Sequence, residues 1–453
     1  MVATTAGELS DRVPDRVTVR RPAALRGTIA IPGDKSVTHR ALLFNALAQG
    51  EALIEGFLDA ADTRSTLDCV RALGAQVEEL GGGRLRVRGG GRAALHEPAD
   101  VLDCGNSGTT IRLLAGALAG LPGLAVLTGD ASLRRRPMGR IVQPLRALGA
   151  DVRARGGDTL PPMVVRGGPL RGGQRIETAV ASAQVKSALL LAGLAADGPT
   201  TVVEPVQSRD HTERMLAAMG ARIEAVTDAD GRHRVTLTPP AGELQATAVV
   251  VPGDISTAAA WIVAATLHPD AELLLTGVGV NATRTGLIDI LRAMGADIVL
   301  LAERTSGGEP VADLRVRSAA LHGTTVGGSL VPRAIDELPL VALAGALASG
   351  ETLIHEAAEL RVKESDRVAA TAGALRAFGV EIEERPDGLL VRGGARLHAG
   401  AADSGGDHRL AMLAAVAGLL ADGASQVGGA GAVGVSYPDF WEQLARFGAL
   451  AAG

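Results

Sequence analysis

The sequence has few of the residue types that usually anchor a core or a covalent framework. Aromatic residues make up only 2% of the chain, so the core must be built from Ala, Leu and Val. The two cysteines, Cys69 and Cys104, belong to no paired motif with other cysteines or with histidines. This argues against a disulfide framework and against a zinc site. We therefore expect a protein of a reducing, cytoplasmic compartment that holds no metal.

Long apolar runs and a net positive charge are also lacking. No run of 18 uninterrupted apolar residues occurs, which argues against a membrane span. The formal net charge is −5, which argues against a general nucleic-acid-binding surface. Residues 1–16 lack an apolar stretch and a cleavage site, and we interpret them as a flexible tail. We expect neither nucleic acid nor membrane as a partner.

What the chain does contain is a short pattern that occurs six times: an apolar helix end, then Gly, then a strand start. Successive copies lie about 75 residues apart. Gly just past a helix end adopts the left-handed conformation without a Cβ penalty, so each copy predicts a helix that ends and a strand that follows. The six glycines are Gly74, Gly149, Gly220, Gly295, Gly379 and Gly448.

A second pattern accompanies the first. Helices that are apolar on all sides end in Gly or Asp-Gly and are followed by strands, which predicts buried helices. Each repeat therefore reads as buried helix, strand, amphipathic helix, strand, strand. Composition rich in Ala and Gly could imitate repeats, but it would not place the elements in the same order. Six such units, in a chain too long for one core, predict α/β subdomains grouped three and three.

Polar residues cluster just before these buried helices. A helix N-terminus offers unpaired N–H groups and the positive end of the dipole, so six converging starts would form an anion-selective pocket. Taken singly each signal is weak, because a polar residue at a helix start is usually only a cap. The clusters are GDKSVTHR, CGNSGTTIR, ASAQVKS, GDISTAA, IDELP and GGDHR, and charged loops follow in GDASLRRRPMGR, SRDHTER and LRVKESDR.

These motifs together resemble the 5-enolpyruvylshikimate-3-phosphate synthase family over roughly residues 20–450, with SAQVKS and SRDHTER similar to its bacterial class II branch. The resemblance implies an α/β fold, the enolpyruvyl transferase fold: a two-domain inside-out α/β barrel of six βαβαββ repeats. It implies an upper domain over residues 34–252. The lower domain would be discontinuous, from 17–33 and 253–453. The implied reaction transfers the enolpyruvyl group of phosphoenolpyruvate (PEP) to shikimate 3-phosphate, without a cofactor, in a monomer.

The resemblance also assigns roles to residues. Asp336 resembles the general base for the attacking hydroxyl, and Glu364 with Lys35 resembles the proton donor to PEP. The residues implied for shikimate 3-phosphate are Lys35, Ser36, Arg40, Ser182, Ala183, Gln184, Arg209, Asp336 and Lys363. Those implied for PEP are Lys35, Gly108, Arg136, Gln184, Arg367 and Arg409. Both substrates carry a phosphate and a carboxylate, so cations that offset their repulsion are what this chemistry requires.

The residues at two positions bear on the PEP site that the resemblance implies. Val435 stands where the class I branch has a Lys, so one PEP-side cation is missing. Gly108 stands where glyphosate-tolerant relatives can carry Ala, and we therefore expect inhibition by glyphosate.

Three other functions are alternatives to this interpretation of the sequence. The sister transferase that acts on UDP-N-acetylglucosamine begins with Lys-Asn and usually has a reactive Cys in a mobile loop, whereas this chain has Lys35-Ser36. A non-catalytic anion-binding protein gains nothing from Asp336 and Glu364 in a cationic pocket. An RNA-phosphate cyclase shares part of the repeat, but this chain is acidic and has no recognisable nucleophilic His motif.

Overall fold

The computed structural model describes residues 14–451, which form two compact units. The 33–252 unit comprises Gly33–Pro252 together with Thr305–Glu309, and the 253–451 unit comprises residues 14–32, Gly253–Arg304 and 310–451. Each unit has its own hydrophobic core. Of the tail predicted over residues 1–16, residues 1–13 lie outside the described residues, and Arg16 begins the first strand.

The 33–252 unit contains subdomains 1, 2 and 3, each with one four-stranded sheet. In subdomain order its helices are Lys35–Leu47 and Ala61–Ala72; Gly108–Ala119 and Gly139–Ala147; Ala183–Gly193 and His211–Ala218. Its strands are Gln49–Glu55, Gln76–Gly81, Arg84–Gly90 and Val249–Val250; Leu102–Asp103, Leu124–Thr128, Asp151–Ala154 and Leu160–Arg166; Gln174–Glu177, Thr200–Glu204, Arg222–Thr227 and His233–Thr238. Short helical turns lie at Arg92–Ala94, Leu133–Arg135 and Arg155–Asp158.

The 253–451 unit contains subdomains 4, 5 and 6. In the same order its helices are Ile255–Leu267 and Gly286–Ala293; Leu330–Ala334, Leu338–Leu347 and Arg367–Ala377; His408–Leu420 and Phe440–Arg446. Its strands are Leu25–Ala30, Ala271–Gly279, Asp297–Ser306 and Glu309–Arg317; Thr325–Val326, Glu351–Ile354, Ile382–Arg385 and Gly388–Arg392; Arg16–Val19, Ala401–Asp403 and Ser425–Gly428. Short 3₁₀ turns lie at Ala358–Val362 and Ala430–Val435.

The four-stranded sheets share one strand order, shown here by subdomain 3. Its leading strand Gln174–Glu177 pairs parallel with the central strand Thr200–Glu204, with Gln174 opposite Thr200. The central strand pairs antiparallel with the closing strand His233–Thr238, which pairs antiparallel with the middle strand Arg222–Thr227. In subdomains 1 to 5 the helices and strands follow the order that the repeat predicts. In subdomain 6 the prediction is wrong, because within the described residues no strand follows helix Phe440–Arg446 and Gly448.

Strands from the start of the chain complete two sheets, which the repeat alone did not predict. Leu25–Ala30 pairs parallel with Ala271–Gly279 and is the leading strand of subdomain 4. Arg16–Val19 pairs antiparallel with Ser425–Gly428, so it takes the place of the closing strand in the three-stranded sheet of subdomain 6. The repeat cannot predict these pairings, because the backbone N–H and C=O groups of a strand can bond to any neighbouring strand, however distant it is in sequence.

One helix in each subdomain is buried along nearly its whole length, as the all-round apolar sequences predict. Helices Gly108–Ala119 and Ala183–Gly193 approach closely at Gly116, where a Cβ atom would lie 2.1 Å from the carbonyl oxygen of Ala188. All six glycines of the repeat have positive φ, from 68° at Gly448 to 106° at Gly295. Within residues 14–451, no helix is both long enough and apolar enough to cross a membrane.

Candidate active site

Side chains cap the first two buried helices of the 33–252 unit. Asp34 accepts a hydrogen bond from Val37 N at 2.9 Å, so the first helix starts at Lys35. Ser107 accepts one from Thr110 N at 3.1 Å, so the second starts at Gly108. Such caps satisfy one of the free N–H groups and leave others available to a ligand.

The ammonium group of Lys35 pairs with one carboxylate, that of Asp62. Its Nζ lies 3.2 Å from Oδ2 of Asp62, and the two side chains are only 18% and 10% exposed. The second carboxylate oxygen of Asp62 is buried and makes no hydrogen bond within the described part of the chain. Because an ammonium carries three N–H donors, Lys35 can bind an anion while it keeps its contact with Asp62.

Arg40 is buried and held by three hydrogen bonds. Its Nε donates to Thr212 Oγ1 at 2.8 Å, Nη1 to the carbonyl oxygen of Ser36 at 2.9 Å, and Nη2 to Ser187 Oγ at 2.9 Å. Burial lowers the pKa of Arg40 to about 10, against the opposing charge of Glu213. The guanidinium therefore stays charged at neutral pH, and it has two further N–H donors.

Two guanidinium groups face the helix start at Gly108. Arg112 Nη1 donates to Gln184 Oε1, and Arg136 Nη2 donates to Asn106 Oδ1. A Cβ atom on Gly108 would lie 2.8 Å from Arg112 Nη1 and 3.3 Å from Arg136 Nη1. Glycine at this position therefore leaves room for both guanidinium groups beside the N-terminus of the helix, where an anion is favoured.

The third helix start holds three of the residues implied for shikimate 3-phosphate. Ser182 precedes the helix, and Ala183 and Gln184 are its first two residues. The backbone N–H of Ser182 donates to Oε1 of Glu204 at 2.9 Å. Arg209 lies half-buried in the loop after the central strand of the same subdomain. The sequence-predicted residues of this unit are thus distributed over its three buried helix starts and the following loops.

In the 253–451 unit, three carboxylates contact Arg367, whose side chain is 2% exposed. Its Nε and Nη2 donate to Asp407 at 2.8 and 3.2 Å, and Nη1 donates to Asp336 Oδ1 at 3.0 Å. Nη2 also donates to Glu364 Oε2 at 2.8 Å. Lys363 Nζ lies 3.4 Å from Asp336 Oδ1. The structure thus brings together Asp336, Lys363, Glu364 and Arg367, as the motif-based assignment implies.

Electrostatics keep this cluster charged. Burial acts against the charge on Arg367, but the carboxylates of Glu364, Asp407 and Asp336 outweigh it and raise the pKa of Arg367. Burial likewise acts to raise the pKa of Asp407, but the guanidinium of Arg367 outweighs burial, and the pKa of Asp407 lies below its ordinary value. Each of these buried charges thus has a partner of opposite sign, which offsets part of the cost of its burial.

Arg409 is the second residue of the sixth buried helix. Asp407 caps that helix and accepts a hydrogen bond from Arg409 N at 2.9 Å. The Arg409 side chain is largely buried, and its Nη1 makes no hydrogen bond within residues 14–451. A buried guanidinium N–H without an acceptor costs free energy, which a bound carboxylate or phosphate would recover.

Four further residues belong to these surroundings but received no role from the sequence. Arg112 and Asp407 contact assigned residues directly. Glu204 accepts a hydrogen bond from the backbone N–H of Ser182, and Lys186 pairs with Glu204. Arg112 could have been found from its spacing, because it lies four residues after Gly108 on the same helix face. Asp407, directly before a buried helix, carries the signal of an N-cap. Glu204 has no local signal for its contact with the third helix start, because its partners Ser182 and Lys186 belong to a different element of the chain.

The described residues offer no evident metal centre. Within residues 14–451, no three His, Cys, Asp or Glu side chains are grouped so that they could hold a metal ion. His211 pairs through Nδ1 with Oε1 of Glu309 at 2.8 Å.

The fold and the charged helix starts define a class: two α/β units of three subdomains, the enolpyruvyl transferase fold. The solved structure of the enolpyruvyl transferase NikO from Streptomyces tendae matches with a TM-score of 0.75 and 20% identity, over 96% of this chain and 99% of that chain. At this identity the match establishes the fold alone. The structure of EPSP synthase from Acinetobacter baumannii matches with a TM-score of 0.85 and 41% identity, over 96% and 98%.

The chain belongs to the EPSP synthase (3-phosphoshikimate 1-carboxyvinyltransferase) family, whose family model matches residues 19–444. A 3-phosphoshikimate 1-carboxyvinyltransferase of Roseiflexus sp. (strain RS-1) is 56% identical over 94% of this chain and 97% of the relative. One of Gloeobacter violaceus is 55% identical over 93% and 96%. The family, the α/β class with its enolpyruvyl transferase fold, and the transferase function predicted from the sequence are therefore confirmed.

Proposed function

We propose that this chain transfers the enolpyruvyl group of PEP to the 5-hydroxyl of shikimate 3-phosphate, which yields 5-enolpyruvylshikimate 3-phosphate and phosphate on the route to chorismate. The observation that carries the proposal is the cluster in which buried Arg367 holds both Asp336 and Glu364. Two acid–base groups held in place beside cations suit a reaction between two anionic substrates in which protons must move.

In this proposal the residues that bind shikimate 3-phosphate lie mainly in the 33–252 unit. Arg40 is charged and rigidly held, which supports a role in binding a carboxylate or phosphate. The helix start at Ser182 supplies hydroxyl, amide and N–H donors. The full set is Lys35, Ser36, Arg40, Ser182, Ala183, Gln184, Arg209, Asp336 and Lys363.

PEP is held by a second set of residues, most of which are cations. Nη1 of Arg409, which makes no hydrogen bond among the described residues, and the guanidinium of Arg136 beside Gly108 support this assignment. Arg367 contributes charge at a fixed position because three carboxylates hold it. The full set is Lys35, Gly108, Arg136, Gln184, Arg367 and Arg409.

Catalysis then follows from acid–base chemistry. A proton added to C3 of PEP, by Glu364 with Lys35, makes C2 cation-like, and the 5-hydroxyl attacks C2 while Asp336 takes its proton. The tetrahedral adduct then loses a proton from C3 and expels phosphate, which restores the double bond. Each positioned acid or base contributes about 10² to 10⁴ in rate. The scheme requires neither a metal nor an organic cofactor.

Phosphate release tests the proposal. Purified protein is incubated with shikimate 3-phosphate and PEP, and each substrate is omitted in turn. We expect release only when both are present. No release with this pair, but release when UDP-N-acetylglucosamine replaces shikimate 3-phosphate, would contradict the proposal in favour of the sister transferase.

We also propose that the 33–252 and 253–451 units correspond to the upper and lower domains of the family, and that the enzyme is a cytoplasmic monomer without nucleic-acid or membrane partners. The net charge of −5 supports the absence of a nucleic-acid partner. Light scattering of the purified protein tests the oligomeric state, and a mass of twice the 46.0 kDa chain would contradict it.

A further inference from the structure

A buried ionic cluster in subdomain 3 has no part in the reaction proposed above. The ammonium of Lys186 is completely buried, and its Nζ lies 2.9 Å from Glu204 Oε2 and 2.8 Å from Glu213 Oε1. The carboxylate side chains are 1% and 8% exposed. Three buried charges contribute little net stability, because the cost of their desolvation offsets most of their attraction. The cluster therefore calls for a second explanation.

The carboxylate of Glu204 joins two segments that are separate in sequence. Its Oε1 accepts a hydrogen bond from Ser182 N at 2.9 Å, at the helix start assigned to shikimate 3-phosphate. Its Oε2 accepts hydrogen bonds from Ser208 Oγ at 2.8 Å and from Ser208 N at 3.4 Å. Ser208 directly precedes Arg209, which is assigned to the same ligand. One side chain thus sets the position of both segments.

Lys186 holds Glu204 in this position. Its Nζ contacts Oε2 of Glu204, and it also donates to the carbonyl oxygen of Ser208 at 3.4 Å. Burial acts against the charge on Lys186, but Glu213 and Glu204 outweigh it and raise the pKa of Lys186. The lysine therefore remains a cation that ties the central strand to the loop after it.

Glu213 differs from Glu204 in one useful respect. It pairs with the same lysine and is similarly buried, but in the part of the chain that the structure describes it holds neither the Ser182 segment nor the Ser208 segment. Burial raises the pKa of Glu213. A Gln at this position keeps the shape of the side chain and leaves the hydrogen bonds of Glu204 to both segments unchanged, so it provides a matched control.

We propose that Glu204, held by Lys186, is a positioning residue for the shikimate 3-phosphate site. It fixes the Ser182 helix start and Arg209 in their binding geometry before the ligand arrives, so that binding does not have to order them. The inference rests on the proposed function, since it concerns the site of one of the two substrates.

Two variants test the inference, with KM for each substrate, kcat and the Kd for shikimate 3-phosphate as readouts. Glu204→Gln removes the charge that orients both segments, and Ser208→Ala removes one hydrogen bond to Glu204 without changing any charge. We expect KM and Kd for shikimate 3-phosphate to rise about 10- to 100-fold in Glu204→Gln, as for other residues that support a binding group. In Ser208→Ala we expect a rise of about threefold.

The pattern across readouts separates positioning from general damage. KM for PEP and kcat should change less than about threefold, because a loss of binding that is equal in ground and transition states appears in KM alone. The control Glu213→Gln should keep wild-type values, and thermal unfolding of each variant shows that it is folded. If Glu204→Gln does not fold, Ser208→Ala decides the test.

Two results would overturn the inference while leaving the proposed function intact. One is wild-type KM for shikimate 3-phosphate in both Glu204→Gln and Ser208→Ala. The other is an equal rise in Glu213→Gln, which would show that the cluster only stabilises the fold. Wild-type protein that neither binds shikimate 3-phosphate nor releases phosphate would instead refute the proposed function, and with it this inference.

Discussion

Single side chains decide how the acids around Arg367 are placed. Arg367 is enclosed, and each of its three nitrogens donates to a carboxylate, so Asp336 and Glu364 lie at fixed distances from one cation. Lys363 adds a second positive charge 3.4 Å from Asp336. Proton transfer requires the acid or base to be within hydrogen-bond reach of its substrate, so this fixed placement suits the roles proposed for Asp336 and Glu364.

Asp336→Asn should abolish most of the turnover. The amide keeps the shape of the side chain but cannot take the hydroxyl proton, so we expect kcat to fall about 10² to 10⁴-fold. Arg367 retains Asp407 and Glu364, so the fold should survive. Phosphate release measures the loss, and titration with shikimate 3-phosphate shows that binding remains. Full turnover would mean that another group accepts the proton.

Gly108→Ala should weaken the interaction with PEP more than that with shikimate 3-phosphate. The added methyl group would lie 2.8 Å from Arg112 Nη1 and 3.3 Å from Arg136 Nη1, so both guanidinium groups must shift. We expect KM for PEP to rise about tenfold, as for one misplaced methyl group in a binding pocket.

The wild type should be inhibited by glyphosate, and the Gly108→Ala variant should be inhibited much less. Activity of the wild type unaffected by millimolar glyphosate would contradict this prediction.

At the scale of elements, one aspartate serves two helices. Asp407 caps helix His408–Leu420, and it is also the counter-ion of Arg367, the first residue of helix Arg367–Ala377. The starts of these two helices are therefore held together by a single carboxylate. This arrangement places Arg409 and the Arg367 cluster in one part of the 253–451 unit.

Asp407→Asn tests this link through the dependence of stability on pH. Asn keeps the cap, but Arg367 loses a charged partner, so we expect a loss of about 3 kcal/mol in the free energy of unfolding. Arg367 lowers the pKa of Asp407 in the folded protein, so the charge of Asp407 stabilises the fold above its ordinary pKa of 3.8. That contribution is lost as the pH falls through the folded-state pKa. The difference between wild type and variant should therefore shrink below pH 3.8.

Denaturant unfolding at several pH values measures this effect. Asp366→Asn is the matched control, because Asp366 also caps a helix but is solvent-exposed and pairs with half-buried Arg361. We expect less than about 1 kcal/mol for the control. A loss in Asp407→Asn that did not depend on pH would show that packing, rather than charge, accounts for it.

At the scale of the whole molecule, residues between Val17 and Ile31 are part of the core of the 253–451 unit. Val19 is completely buried in the strand that completes the sheet of subdomain 6, and Leu25 is completely buried in the leading strand of subdomain 4. The unit therefore depends on segments that are more than two hundred residues apart in sequence. Folding such a unit requires long-range pairing.

Val19→Asp should unfold the 253–451 unit, whereas Thr18→Asp should be tolerated. Val19 is fully buried, and an unpaired charge there costs several kcal/mol, comparable with the whole stability of a domain at about 5–15 kcal/mol. Thr18 lies on the opposite face of the same strand and is half-buried. Circular dichroism and limited proteolysis measure the difference. Equal stability of the two variants would show that this strand is dispensable.

Much of the fold could be predicted from the sequence because its signals are local. Gly74 and its five counterparts end helices, and each has the positive φ that the pattern predicts. The buried helices begin where polar clusters such as that at Lys35 and that at Gly108 occur, because a helix start requires a cap within a few residues. The resemblance to a family supplied roles for Asp336 and its neighbours, and those roles stay predictions until they are measured.

By itself, the sequence determined the six repeats, the buried helices and the residue types at their starts, since each depends on neighbours within about one helical turn. Only the tertiary structure decided that Arg16–Val19 pairs with Ser425–Gly428, that Arg367 meets Asp407, and that Glu204 joins Ser182 to Ser208. The physical reason is that hydrogen bonds and ion pairs of this kind depend on distance in space. Nothing in the local sequence specifies which distant segment will supply the partner.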